Sequence, residues 1–429
     1  MRKSYFTIVF SVCLLVLNAC EKEFSGTYVE TPDIYLESVD REWTVTNEEL
    51  LDMLCGYFPG TDAFKPLIGT VLNRDIHFVA ISYRTTDTKG EPCIASGLIA
   101  YPVLQNNGHY ARIVSIQHAT CNICDAPSTT RIPVEILPAA IGYLGEMAGE
   151  RYFICVMADY LGYGVSRTDD LQHPYLHNST TGKTCADMLC AAGEYISKKR
   201  LHVGSAGRTG RNIDLVGYSQ GGAATISTLQ ELLSRKGWES KINEVWAGAG
   251  PYDMTCFLNY AMENDYFGST EYIAYAMRGI INAEGLDVSY SNIFNPGLDS
   301  TMLETMFSTK QVSEWHSVLG SRISNMLHPD FYKPDFGNNS DIVALMDAFK
   351  KNSVSNTSAP SDDILSRIRL FHCPDDGTVP YSCSDSLQTK WNLPPVTGLS
   401  GTSHVGAALE FVGRYCQADE VLEKIKDIL

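Results

Sequence analysis

Basic residues are scarce. Lysine and arginine number 33 against 50 aspartates and glutamates, a net charge of −17 at pH 7. No basic cluster offers the phosphate contacts that nucleic acid requires, so nucleic acid is excluded as a partner. An anionic lipid surface would repel such a chain. Long hydrophobic runs are missing after the N-terminus, where no segment reaches the about 20 apolar residues of a membrane-spanning helix. Metal-ligand spacing is missing too. Cys121-x-x-Cys124 is the only close pair among 13 cysteines, and no second Cys or His pair accompanies it, so zinc is not expected. A local disulfide or two plain thiols suits that pair. The chain also lacks internal repeats and long low-complexity stretches.

What is present starts at residue 1. Met1-Arg2-Lys3 precedes an apolar stretch through Leu17, which ends at Asn18-Ala19-Cys20. The segment resembles a bacterial lipoprotein signal, cleaved before Cys20, whose thiol then carries lipid. The competing reading is an ordinary secretory signal with a chance cysteine. The first reading places the protein in the cell envelope, lipid-anchored at the periplasmic face or the cell surface. An exported location permits disulfides. The odd number of cysteines left after Cys13 and Cys20 nevertheless argues against a disulfide scaffold.

Hydrophobic content of 44% and charge of 19% are those of a globular protein. Residues 21–70 read as an irregular lead-in with one short helix at Asn47–Leu54. Apolar runs then alternate with helical patterns. Ile76–Tyr83, Ala95–Tyr101, Arg112–Gln117, Phe153–Ala158, Ile213–Gly217, Val245–Ala249 and Ile368–His372 read as strands. Gly182–Lys199 and Ala223–Lys236 read as helices. Near-continuous apolar strands between helices imply a mostly parallel sheet covered on both faces, an α/β class. Residues 254–358 break the rhythm with aromatic and Met-rich helical pieces. About a hundred structureless residues inside a domain would be unusual, so this stretch is read as a helical lid over the sheet's C-terminal edge. The expected organisation is a signal at 1–20, a lead-in at 21–70, a core at 71–253 and 359–429, and a lid insertion at 254–358.

Gly217-Tyr218-Ser219-Gln220-Gly221 joins the strand Ile213–Gly217 to the helical pattern that starts at Ala223. A serine on that sharp turn has its hydroxyl pushed out above the sheet, and the glycines relieve crowding around it. A serine needs a base, and after this kind of turn the order should be acid, then histidine. The strand Ile368–His372 leads into Cys373-Pro374-Asp375-Asp376-Gly377, where two aspartates compete for the acid. Beyond them stands one of the ten histidines, His404. His372 precedes the acid and is read as structural. Oxyanion donors are expected from the backbone of Gln220 and from the loop Gln117-His118-Ala119-Thr120, chiefly Ala119 and Thr120.

At these residues the chain resembles the α/β-hydrolase superfamily, and within it the secretory lipase-like esterases. His118-Ala119-Thr120 followed by Ala126-Pro127-Ser128 is similar to their His-Gly-Thr and Ala-Pro-Ser elements. Asp159-Tyr160-Leu161-Gly162-Tyr163-Gly164, His173-Pro174-Tyr175 and Ala249-Gly250-Pro251 fit the same pattern. The likeness covers residues 75–253 and 363–415. Asp376-Gly377-Thr378-Val379-Pro380 matches the superfamily's Asp-x-x-Val-Pro, which points to Asp376 as the acid and leaves Asp375 as a cap. Ala119 departs from the usual glycine. The resemblance implies an α/β-hydrolase fold with a helical lid, and ester hydrolysis through an acyl-enzyme, without metal or organic cofactor. The substrate would be a small ester, such as an acylglycerol or acylated glycan. The alternatives are a serine peptidase or aminopeptidase of the same fold, and a non-catalytic surface lipoprotein that binds glycan or a partner.

Overall fold

Alternation along each strand decides which layer it feeds. In Ile213–Tyr218, Ile213 and Leu215 face one side of the sheet, while Val216 and Tyr218 face the other. Both sides are covered, so every residue of this strand is buried. Each such aliphatic side chain contributes on the order of 1.5–3 kcal/mol when removed from water.

The computed structural model describes residues 32–57, 65, 74–103, 110–122, 124–131, 151–168, 172–201, 203, 210–401 and 403–415. The signal expected at 1–20, with Cys20, lies outside them. The described residues from Tyr35 onward form one compact unit. Among the described residues there are nine strands: β1 (Leu36–Val45), β2 (Ile76–Thr86), β3 (Pro92–Pro102), β4 (Tyr110–Gln117), β5 (Arg151–Ala158), β6 (Ile213–Tyr218), β7 (Ile242–Gly248), β8 (Ile368–His372) and β9 (Thr397–Gly398). They form a single sheet in the order β1-β2-β3-β5-β4-β6-β7-β8-β9. β1 to β3 are antiparallel and β3 meets β5 antiparallel. From β5 to β9 all pairs are parallel. The C-terminal ends of β4, β6 and β8 therefore open on one edge, where the loops that follow them can meet.

One layer of helices contains α1 (Asn47–Tyr57), which packs through Leu50 beside Phe78 and Leu98. The opposite layer holds α2 (Asn178–Lys198) and α3 (Gln220–Ser234), with Met188, Leu189, Ile226 and Leu229 on the sheet. Between β7 and β8 the chain forms α4 (Met254–Asn264), α5 (Thr270–Glu284), α6 (Ser300–Thr309), α7 (Val312–Leu319) and α8 (Ser340–Asn352), plus shorter turns. Except for α5, whose N-cap Ser269 makes no such bond, these helices start where side chains satisfy their first amides. Asp253 accepts from Cys256 N (3.0 Å), Asp299 from Met302 N (2.8 Å), and Gln311 with Glu314 closes a capping box. They share a separate apolar core containing Phe257, Ile273, Met277, Phe307, Trp315 and Phe349, which also receives Tyr175 and Val379. After β8 come α9 (Tyr381–Trp391) and α10 (His404–Tyr415), the latter packed by Phe411 in the α1 layer. Among the described residues no helix is long and apolar enough to cross a membrane.

The lead-in expected at 21–70 is corrected in part. Leu36–Val45 is a ten-residue strand, so the sheet begins well before residue 71. Its sequence hides it: most of Leu36-Glu37-Ser38-Val39-Asp40-Arg41-Glu42 is exposed at the sheet edge, so the apolar alternation that marks a half-buried strand is absent.

Candidate active site

Ser219 stands between the last residue of β6 and the first of α3. Its backbone is left-handed, with φ 60° and ψ −127°. For a non-glycine residue this costs on the order of 1–3 kcal/mol, and surrounding structure must hold it. Its N–H donates to Gly248 O at 2.9 Å, and its carbonyl accepts from Gly222 N at 2.8 Å. Two glycines permit the turn. A Cβ on Gly217 would overlap the carbonyl of Gly221, and one on Gly221 would overlap the carbonyl of Gln117 at the end of β4.

The loop after β8 brings Asp376 under α10, and His404, the first residue of α10, reaches back to the serine. His404 Nε2 lies 2.8 Å from Ser219 Oγ, and its Nδ1 lies 2.5 Å from Asp376 Oδ2. Asp376 Oδ1 accepts from the backbone N–H of Thr378 (2.8 Å) and Val379 (3.0 Å). The turn-capping role expected of Asp375 thus falls to Asp376 itself, while Asp375 is exposed. Burial pushes the Asp376 carboxyl upward in pKa. The hydrogen bonds from His372, His404 and the Thr378 amide outweigh burial and hold it well below the usual carboxylate range.

His372 is part of these surroundings, which its place before the acid did not suggest. It is fully buried, with Nδ1 2.7 Å from Ser384 Oγ and Nε2 2.9 Å from Val379 O. A carbonyl only accepts, so Nε2 carries the proton. That nitrogen also lies 3.4 Å from Asp376 Oδ2. The clue in the sequence was its position at the buried end of β8.

Ala119, Thr120 and Gln220 all line the cavity that holds Ser219 and His404. Tyr160 OH donates to His118 O at 2.9 Å, and Thr120 Oγ1 lies 2.8 Å from Tyr175 OH. These contacts fix the β4 loop against the segment after β5. The Gln220 side chain reaches the His173 ring, and its Nε2 donates to His173 Nε2 at 2.7 Å. Sequence spacing carried no signal for that pair. The cavity measures about 230 Å³, and its other walls include Tyr175, Tyr218, Pro251, Phe257, Tyr272, Val379, Val405 and Ala408. Among the described residues no group of three or more His, Cys, Asp or Glu side chains could hold a metal ion.

No protein-family model matches the chain, and neither does any curated protein. Solved structures do resemble it. A Legionella pneumophila protein assigned as a hydrolase aligns with a TM-score of 0.68 at 23% identity, over 91% of this chain and 98% of that one. The rice cell wall degrading esterase LipA from Xanthomonas oryzae aligns with a TM-score of 0.68 at 17% identity, over 90% and 98%. Candida antarctica lipase A in its closed state aligns with a TM-score of 0.55 at 14% identity, over 86% and 78%. The mostly parallel sheet flanked by helices is the α/β-hydrolase fold.

Proposed function

We propose that the chain is a serine hydrolase that cleaves carboxylic esters through an acyl-enzyme. One observation carries the reading: a single imidazole, His404, bridges Ser219 Oγ at 2.8 Å and Asp376 at 2.5 Å. His404 takes the serine proton as Oγ attacks the ester carbonyl, then gives it to the leaving alcohol. Asp376 fixes the tautomer and stabilises the imidazolium. Backbone N–H groups of Gln220 and of the Ala119-Thr120 loop stabilise the oxyanion. Water then frees the acyl group by the same proton path. The likeness to an esterase and a lipase supports an ester substrate. A fluorophosphonate probe tests the reading: wild-type protein should label at Ser219, and failure to label would sink it.

The cavity narrows the substrate. Its volume lies below the roughly 300–1,000 Å³ of sites that take drug-sized ligands, and among the described residues no Lys, Arg, Asp or Glu lines it. A free amino terminus would find no carboxylate there, which favours esters over aminopeptidase substrates. Against p-nitrophenyl esters, kcat/KM should rise only up to the acyl length the cavity holds and then level off, since a methylene that stays in water gains none of the about 0.8 kcal/mol that burial supplies. A profile that rises steadily with chain length would overturn the compact-acyl assignment.

The N-terminus supports a lipid anchor at Cys20 through its basic start, apolar stretch and closing Ala19-Cys20. In a bacterial host fed an alkynyl fatty acid, the full chain should take up label and sediment with membranes. Cys20→Ala should take up none. Equal labelling of both would remove the anchor.

A further inference from the structure

His173 is 1% exposed, and its ring lies among those of Tyr160, Tyr163, Tyr175 and Tyr275. It is no part of the proton path from Ser219 to Asp376. Its Nδ1 lies 2.8 Å from the carbonyl oxygen of Leu161. An acceptor there requires the proton on Nδ1. Burial holds the ring's pKa down to about 3, so the ring is neutral and Nε2 keeps its lone pair. The Gln220 amide nitrogen, 2.7 Å away, supplies the donor. Ring tautomer and amide orientation thus fix each other. The Gln220 Oε1 left over is buried and has no hydrogen-bond partner among the described residues. A side chain kept here only for packing would do better without that polar atom, so the bond to His173 is the property that an amide supplies.

The segment bearing His173 is itself tied down. Its backbone carbonyl accepts from Arg278 Nη1 at 3.3 Å. Arg278, on α5, is 2% exposed and pairs with Glu304 on α6 through Nε–Oε1 at 2.8 Å and Nη2–Oε2 at 2.5 Å. A buried, doubly bonded guanidinium is rigid. A continuous path of polar contacts therefore runs from α6 to the first residue of α3.

We propose that His173 is a positioning residue for the hydrolysis assigned above: it holds Gln220, and with it the backbone N–H facing the oxyanion, in register with Ser219. The inference rests on the serine-esterase reading. The helices between β7 and β8 thereby help to set the oxyanion donor, at a residue they do not carry.

The test uses the full chain, p-nitrophenyl acetate as substrate, and fluorophosphonate titration to count active sites. His173→Phe keeps an aromatic ring and removes the acceptor. Its kcat per titrated site should fall about ten- to a hundredfold with KM nearly unchanged, because the donor matters only as charge develops on the oxygen. His173→Gln, whose amide oxygen can accept from Gln220, should recover most of that loss. If His173→Phe does not fold, Gln220→Met cuts the same bond from the other side, removes the orphan oxygen and should show the same kcat loss. The double variant should be no slower than the slower single. Wild-type kcat in both single variants, or a loss confined to KM, overturns the positioning role. A wild-type protein that neither labels nor hydrolyses overturns the esterase reading instead, so the two failures are distinct.

Discussion

Ser219→Ala should leave a folded protein whose kcat on p-nitrophenyl acetate falls about 10⁶-fold, as loss of the nucleophile does in serine hydrolases. The fold should survive because the turn's strain is held by backbone groups. Gly248 O and Gly222 N bond to the main chain of residue 219, and alanine tolerates φ 60° no worse than serine. The remaining rate over water would come from the oxyanion donors and binding. Stopped assays at high enzyme concentration measure it, with fluorophosphonate labelling as the second readout. A variant that keeps a tenth of the activity would show that Ser219 is not the nucleophile.

Asp376→Asn should cost about 10⁴-fold in kcat while KM changes little. Asparagine can keep the oxygen that accepts from the Thr378 and Val379 amides, so the loop should stay in place. Its NH₂ then faces His404 Nδ1, which favours the tautomer with the proton on Nε2. That tautomer cannot accept the proton of Ser219. The stability difference between wild type and variant carries its own signature. The Asp376 pKa is lowered in the fold, so its ionised form stabilises the protein fully above the unfolded carboxylate value of about 3.9, and this contribution is lost as pH falls towards the folded value. The Tm gap between wild type and Asp376→Asn should therefore be constant at neutral pH and close below about pH 4. A gap that widens on acidification would contradict the hydrogen-bonded carboxylate described here.

The parts of the site that were legible in the sequence are those with a local physical cause. A serine between two glycines can be read from five residues together with the apolar strand before them and the helical pattern after them. The order of Asp376 and His404 followed from the fold that such a turn implies. Gln220 was legible as an amide donor, but not as a partner of His173, because that bond joins side chains 47 positions apart and no periodicity encodes it. His372 was set aside by its order in the chain, although a buried strand end delivers it to Asp376. The helices after β7 could be expected from their composition. How they wall the cavity with Phe257 and Tyr272 depends on tertiary packing that their own caps do not determine. β1 went unseen because the apolar alternation of strands reports burial, and this strand has little.

The same polarity gives β1 a second role. An outer strand offers unpaired amides and carbonyls to any extended chain, which is the route by which sheets join into aggregates. β1 meets that hazard with exposed Glu37, Asp40, Arg41 and Glu42 and with two breaks in its register against β2. The opposite edge is only two residues long, Thr397–Gly398. Both margins of the sheet thus discourage further strands, so close neighbours of the same kind have little backbone to latch onto.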